Sequence, residues 1–254
     1  MGKIPYASLI FTVVALLGVI LFLTSEGKKK QILGMFFLFI FLQTLLALLI
    51  SILAPLLYAK NFFKPDIGLL FYFIHILKTL LIIYFSFLGL KLLQAYKTST
   101  QTDFTVALLR YKTVFDFNSF KRLIHLIVDS IFITILLFLL LSRLGVFISE
   151  IMLPKNDLQA YLILLALLFI VKGFYYYLSE VLFNRTPAKF LTKTIVVSNE
   201  NLPPTKKQVI QRTLSRFIPL NTVSIFGGFI WHDKISKTTV ANEVDNNAGT
   251  NTSS

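Results

Sequence analysis

Long apolar runs alternate with short charged clusters along this chain. Uncharged runs cover 4–23 and 31–58, and three further apolar runs, 67–90, 121–141 and 158–182, carry only a few charges each. About 20 apolar residues suffice to cross a hydrocarbon core of roughly 30 Å, so the pattern predicts five transmembrane helices. The second run would be about 42 Å long at about 1.5 Å per residue, which requires tilting or interfacial ends. Lys28, Lys29 and Lys30 follow the first run, and no small-x-small cleavage site precedes them, so it reads as a retained anchor, not a signal peptide.

The basic residues orient these helices. With the N-terminus outside and the helices alternating, 18 of the 25 Lys and Arg fall on the inner side. Five fall outside, namely Lys3, Lys60, Lys64, Arg143 and Lys155, and Lys78 and Lys172 lie within helices. This asymmetry predicts a multi-pass membrane protein with its N-terminus outside and its C-terminus on the inner, cytoplasmic side. The formal charge of +13 is therefore mostly topology, and anionic lipid of the inner leaflet is its expected partner. No nucleic-acid fold accompanies the charge, so nucleic acid is not expected.

Polar connections divide the chain into a three-helix region 1–97, a cytoplasmic linker 98–117, a region 118–240 and a tail 241–254 rich in Asn, Thr and Ser that is expected to be disordered. No internal repeat is visible. Residues 190–197 are β-branched and run into a turn cluster at 198–201, which fits a short strand or hairpin arm. After Pro203 and Pro204, Thr205 and Gln208 form a T-x-x-Q capping box, and Ile210, Leu214, Phe217 and Ile218 fall on one helix face ahead of Pro219. Lys206, Lys207, Arg212 and Arg216 occupy the other surfaces, the pattern of a helix in the headgroup layer or packed on the protein's own base.

With 15% charged residues against roughly 25% in soluble domains, each charge inside a span matters. The fourth run carries Arg122, His125 and Asp129 on one face, with His125 placed to bridge the other two. Lys172 of the fifth run lies at a depth similar to Asp129 and is its expected ion-pair partner, and Lys78 with His75 is a further candidate for the cluster. A pair that fixes register and a proton or substrate relay through Asp129, His125 and Lys172 both fit this pattern. Tyr175, Tyr176 and Tyr177 read as an interfacial aromatic belt. Asp233 follows the apolar stretch 223–230, too short to span, and Trp231 at the interface. Its expected cation is Arg122, with Arg212 and Arg216 as alternatives. Cysteine is absent, which excludes thiol chemistry. There is no P-loop, G-x-S-x-G or H-E-x-x-H, and the histidines are too scattered for a metal site, so neither enzyme activity, metal nor cofactor is expected. The N-x-T and N-x-S matches at Asn184 and Asn251 read as chance.

The segments KRLIHLIVDSIF, NRTPAKFLTKTIVV, LPPTKKQVIQR and WHDKISKTTV resemble the RDD family of bacterial membrane proteins over about 118–240. The resemblance implies that Arg122, Asp129 and Asp233 are the arginine and two aspartates of the family name, with Thr186, Lys189 and Arg212 on further common positions. Ala188 stands at the first glycine of the T-x-G-K-x-x-x-G segment, altering the close backbone approach that glycine permits. Lys172 is not part of the family pattern. The family's function is largely undefined, and ligand transport or sodium/proton antiport has been suggested.

The expected fold class is thus an all-α integral membrane protein with about five transmembrane helices and a cytoplasmic amphipathic C-terminal segment. The expected activity is transport of a small solute or ion. The alternative is a non-catalytic membrane scaffold or assembly factor that binds lipid, another membrane protein or a second copy of the chain.

Overall fold

The computed structural model describes residues 6–25, 30–57, 68–93, 119–151, 156–200, 202–218 and 231–242. The polar connection 98–117, the stretch 219–230 and residues 243–254 lie outside them. In chain order the elements are α1 (Tyr6–Thr24), α2 (Gln31–Leu57), α3 (Gly68–Leu92), α4 (Ser119–Ile151), α5 (Asp157–Phe183), α6 (Pro187–Leu191), β1 (Thr194–Ser198), α7 (Lys206–Ser215), α8 (Trp231–Ser236) and β2 (Thr238–Asn242). Among the described residues, α2, α3, α4 and α5 are long and apolar enough to cross a membrane, and α1 contributes the shorter apolar stretch Val13–Thr24. Two expectations are corrected. The connection expected at 142–157 is largely helix, because α4 continues to Ile151. The fold is not purely helical either, since β1 and β2 pair antiparallel with Val196 opposite Val240. Ala241 and Asn242 therefore close a strand and are not the start of a disordered tail.

Lipid tails are as apolar as leucine, so these helices associate by close packing and by satisfying their polar groups. Many large apolar side chains of α1, α3 and α5 face outward, among them Leu16, Leu77 and Ile170. The core joins Leu38, Phe39 and Leu42 of α2 to Phe132 and Leu136 of α4 and to Val171, Tyr175 and Phe183 of α5. Two glycines permit the closest approaches: a Cβ at Gly89 would meet the Phe37 ring at 2.8 Å, and one at Gly34 would meet the Phe190 ring at 3.0 Å. Through that second contact α6 seats against α2. Polar groups along the spans are satisfied locally, as where Thr79 and Ser86 donate to carbonyls four residues back, at 2.8 and 2.7 Å.

Capping sets the ends that matter for the site. Asn156 caps α5, accepting from the Gln159 amide at 2.9 Å. At the other end Asn184 takes the left-handed conformation at φ 55°, its amide donating to the Glu180 carbonyl at 3.1 Å. Asn184 is 1% exposed, so it is a buried structural cap and not a modification site. Its carbonyl accepts from the Val196 amide at 2.8 Å, tying β1 to the end of α5. Thr186 caps α6 with Pro187 in the first turn, a position that needs no amide hydrogen. Both halves of the capping box predicted at Thr205 and Gln208 are present in α7.

Candidate functional site

A cavity of about 340 Å³ lies where α4 and α5 meet the C-terminal elements. Arg122, His125 and Asp129 of α4 line it together with Lys172 and Tyr176 of α5, Lys189 of α6, Arg212 and Arg216 from α7 and its C-cap, and His232 of α8. Nine of the eleven residues singled out from the sequence belong to this cavity or touch its walls. Lys78 and His75 do not join it: Lys78 is exposed on α3, which packs on α2.

Asp129 is 2% exposed, yet it is not partnered by Lys172. Tyr175 Oη donates to Asp129 Oδ1 at 2.6 Å, and Thr186 Oγ1 donates to Oδ2 at 3.1 Å. Two neutral hydroxyls satisfy the carboxylate without burying a second charge beside it. Lys172 Nζ instead donates to the Arg216 carbonyl at 3.3 Å and sits 5.3 Å from the centre of the Phe217 ring. That carbonyl is at the C-terminus of α7, where the helix presents partial negative charge. The expected interfacial belt is also corrected, because Tyr175 and Tyr176 are buried, one on Asp129 and the other 3.8 Å beneath the Arg216 guanidinium. His125 does not bridge Arg122 to Asp129. Its Nε2 lies 2.5 Å from Thr192 Oγ1 and 3.2 Å from Thr194 Oγ1, fastening α4 to the α6–β1 turn.

Glu180 is the residue that sequence reasoning missed. It is fully buried at the end of α5, with Lys189 Nζ at 2.5 Å, Arg216 Nη2 at 2.7 Å and Arg212 Nε at 3.3 Å. The available signal was a lone carboxylate closing an apolar helix just ahead of the basic segment. Its burial also explains the orientation of α7. Arg212 and Arg216, one turn apart, point inward to the carboxylate, while Ile210 and Leu214 are 44% and 62% exposed. Of the two readings of this helix, the outward Ile210 and Leu214 fit an apolar face turned to the headgroup layer and not one packed on the protein's own base. Exposing a leucine or isoleucine costs roughly 1.5–3 kcal/mol in water and little against lipid, whereas an unpaired buried carboxylate costs more. Phe217 of the predicted apolar set packs on α5, its ring tilted 51° against Phe169 at a centroid distance of 4.9 Å.

The contact expected between Arg122 and Asp233 is present at 2.8 Å, and Arg212 shares the same carboxylate through its Nη1. Arg212 Nη1 also donates to Thr238 Oγ1 at 2.6 Å, so one guanidinium joins α5, α8 and the start of β2. Lys121 Nζ reaches Asn242 Oδ1 at 2.8 Å and fastens the other end of β2 to α4. Burial acts to raise the Asp233 carboxyl, but Arg212 and Arg122 outweigh it and hold it well below the usual carboxylate range. These pairs therefore contribute stability that is complete above the ordinary carboxyl value of about 4 and is lost only as pH falls through the lower folded value. Burial pulls the Lys189 ammonium down to about 8, against the opposing attraction of Glu180.

Chemically, five cationic side chains, Arg122, Lys172, Lys189, Arg212 and Arg216, line the cavity with Asp129, and all but Lys172 are ion-paired to Glu180 or Asp233 outside its lining. Among the described residues no group of three or more metal-ligating side chains forms. Compared with known proteins, residues 118–232 match the RDD family, so the C-terminal half carries an RDD domain. That match ends one residue before Asp233 and includes both helices that wall the cavity. No curated protein and no solved structure matches the chain.

Proposed function

We propose, from the premise that residues 118–232 are an RDD domain, that this membrane protein moves a small solute or ion through the cavity at Asp129 without catalysing a covalent reaction. The observation that carries this reading is a charged cavity walled on two sides by apolar spans. Asp129 and Lys172 lie within those spans, where charges are expensive and point by default to a functional site. Ser130 and Thr134, exposed on the outer face of α4, belong to the same cavity wall, so it opens beside the helix. We place the protein in a bacterial inner membrane with five spans, the N-terminus outside and the basic C-terminal elements in the cytoplasm, as the 18-to-5 distribution of basic residues supports. The outward Ile210 and Leu214 then lie on the inner leaflet, flanked by Lys206 and Lys207 at anionic headgroups.

A second reading, a membrane scaffold or assembly factor, is favoured by the ion pairs around Glu180, which hold α5, α6 and α7 together whether or not anything passes. Flux into liposomes separates the two. The intact chain should dissipate an imposed gradient of protons, sodium or phosphate, and Asp129→Asn should reduce that flux at least tenfold while leaving the protein folded. An intact chain that conducts none of these supports the scaffold.

A further inference from the structure

Two cationic groups that line the cavity keep donors to spare: Arg216 pairs with Glu180 through one terminal nitrogen only, and Lys172 pairs with no carboxylate among the described residues. Arg216 Nη1 is buried with no hydrogen-bond partner, in a residue only 8% exposed. The Lys172 ammonium rests on a carbonyl. A buried guanidinium donor left open is costly and asks for an acceptor, and an ammonium on the same wall asks for an anion. Asp129 lines the same cavity and complicates a simple anion site, because its carboxylate repels a fully ionised oxyanion. It accepts only one hydrogen bond on each oxygen, from Tyr175 and Thr186, and so retains lone pairs. The three groups are jointly satisfied by an oxyanion that still carries one hydroxyl.

We propose that this cavity binds a protonated phosphoryl group, with the Arg216 guanidinium and Lys172 Nζ donating to its oxygens and Asp129 accepting from its P–OH. The proposal rests on the cavity being the solute site. It names the ligand class: inorganic phosphate, or a phosphomonoester such as the headgroup of phosphatidate below its second pKa of about 6. Both offer the same P–OH, and the opening beside Ser130 and Thr134 admits either an ion or a headgroup. Sulfate, isosteric with phosphate but without a proton at neutral pH, meets Asp129 as a like charge and is rejected.

The test is binding by the purified full chain in detergent at pH 6, followed by calorimetry with inorganic phosphate and with sulfate, and with short-chain phosphatidate as competitor. Phosphate should bind at least tenfold tighter than sulfate. Asp129→Asn, close in shape, should abolish that preference by letting sulfate in. Lys172→Gln, at a half-buried position, should weaken both anions about tenfold and keep the preference. Competition by phosphatidate assigns the site to a lipid headgroup, and its failure to compete assigns it to the free ion; either outcome supports the site. Equal binding of phosphate and sulfate, binding of neither, or a preference that survives in Asp129→Asn overturns it. Flux is read separately, so phosphate binding without flux removes the transport reading alone, and cation flux without phosphate preference removes this inference alone.

Discussion

Glu180→Gln should destabilise the folded protein by about 3–5 kcal/mol, the loss typical when one member of a buried charge cluster is removed. The carboxylate is fully buried and receives Lys189, Arg212 and Arg216. Glutamine keeps the volume but leaves three buried cations facing one another with a single carbonyl acceptor. Lys189 should suffer most, since burial already draws its ammonium down to about 8 with Glu180 as its main support. In Glu180→Gln it should shed its proton near neutral pH. Adding Lys189→Met should recover part of the loss, because a buried amine that has lost its ion-pair partner disappears with it. The check is thermal unfolding in detergent. A loss below about 1 kcal/mol, or a double variant worse than the sum of its parts, would show that the cluster does not hold the C-terminal elements.

Arg212→Met is expected to cost about 3 kcal/mol, and Arg212→Lys to recover only part of it. Arg212 is fully buried and its guanidinium meets Glu180, Asp233 and Thr238 together. An ammonium restores the charge but cannot present that fork to three partners. Loss should fall first on α8, whose Trp231 is the only tryptophan in the chain. Trp231 fluorescence in Arg212→Met should therefore change at a lower temperature than the helical circular dichroism. Coincident transitions would mean that Arg212 is not what docks α8, leaving that role to the Arg122–Asp233 pair.

Four of the five predicted spans were legible because long apolar runs mark helices able to cross a bilayer, and the start of α7 because a capping box is a local reciprocal bond between Thr205 and Gln208. The Arg122–Asp233 contact was legible as well, since an aspartate amid basic residues needs a particular cation. What escaped depends on tertiary context. Hydroxyls carry no charge to flag them, so nothing in the chain marked Tyr175 and Thr186 as the donors to Asp129, and the nearest cation, Lys172, stood in for them. Glu180 resembles any helix-end carboxylate until its burial is known, and only that burial turns Arg212 and Arg216 inward and Ile210 and Leu214 outward. Helical periodicity describes which residues share a face. It does not say which face is buried when a charge inside and a lipid surface outside compete for it.

Whether a polar cavity reaches into the membrane beside Asp129 is measured most directly by thiol accessibility in membranes. The chain has no cysteine, so introduced thiols report alone. Thr134 lines the cavity, whereas Ile131, also on α4, is 53% exposed without lining it. Thr134→Cys should react with a charged, membrane-impermeant thiol reagent at least tenfold faster than Ile131→Cys, which lipid shields. Equal and slow modification of the two would contradict the account, because the cavity would then be closed to water in the bilayer.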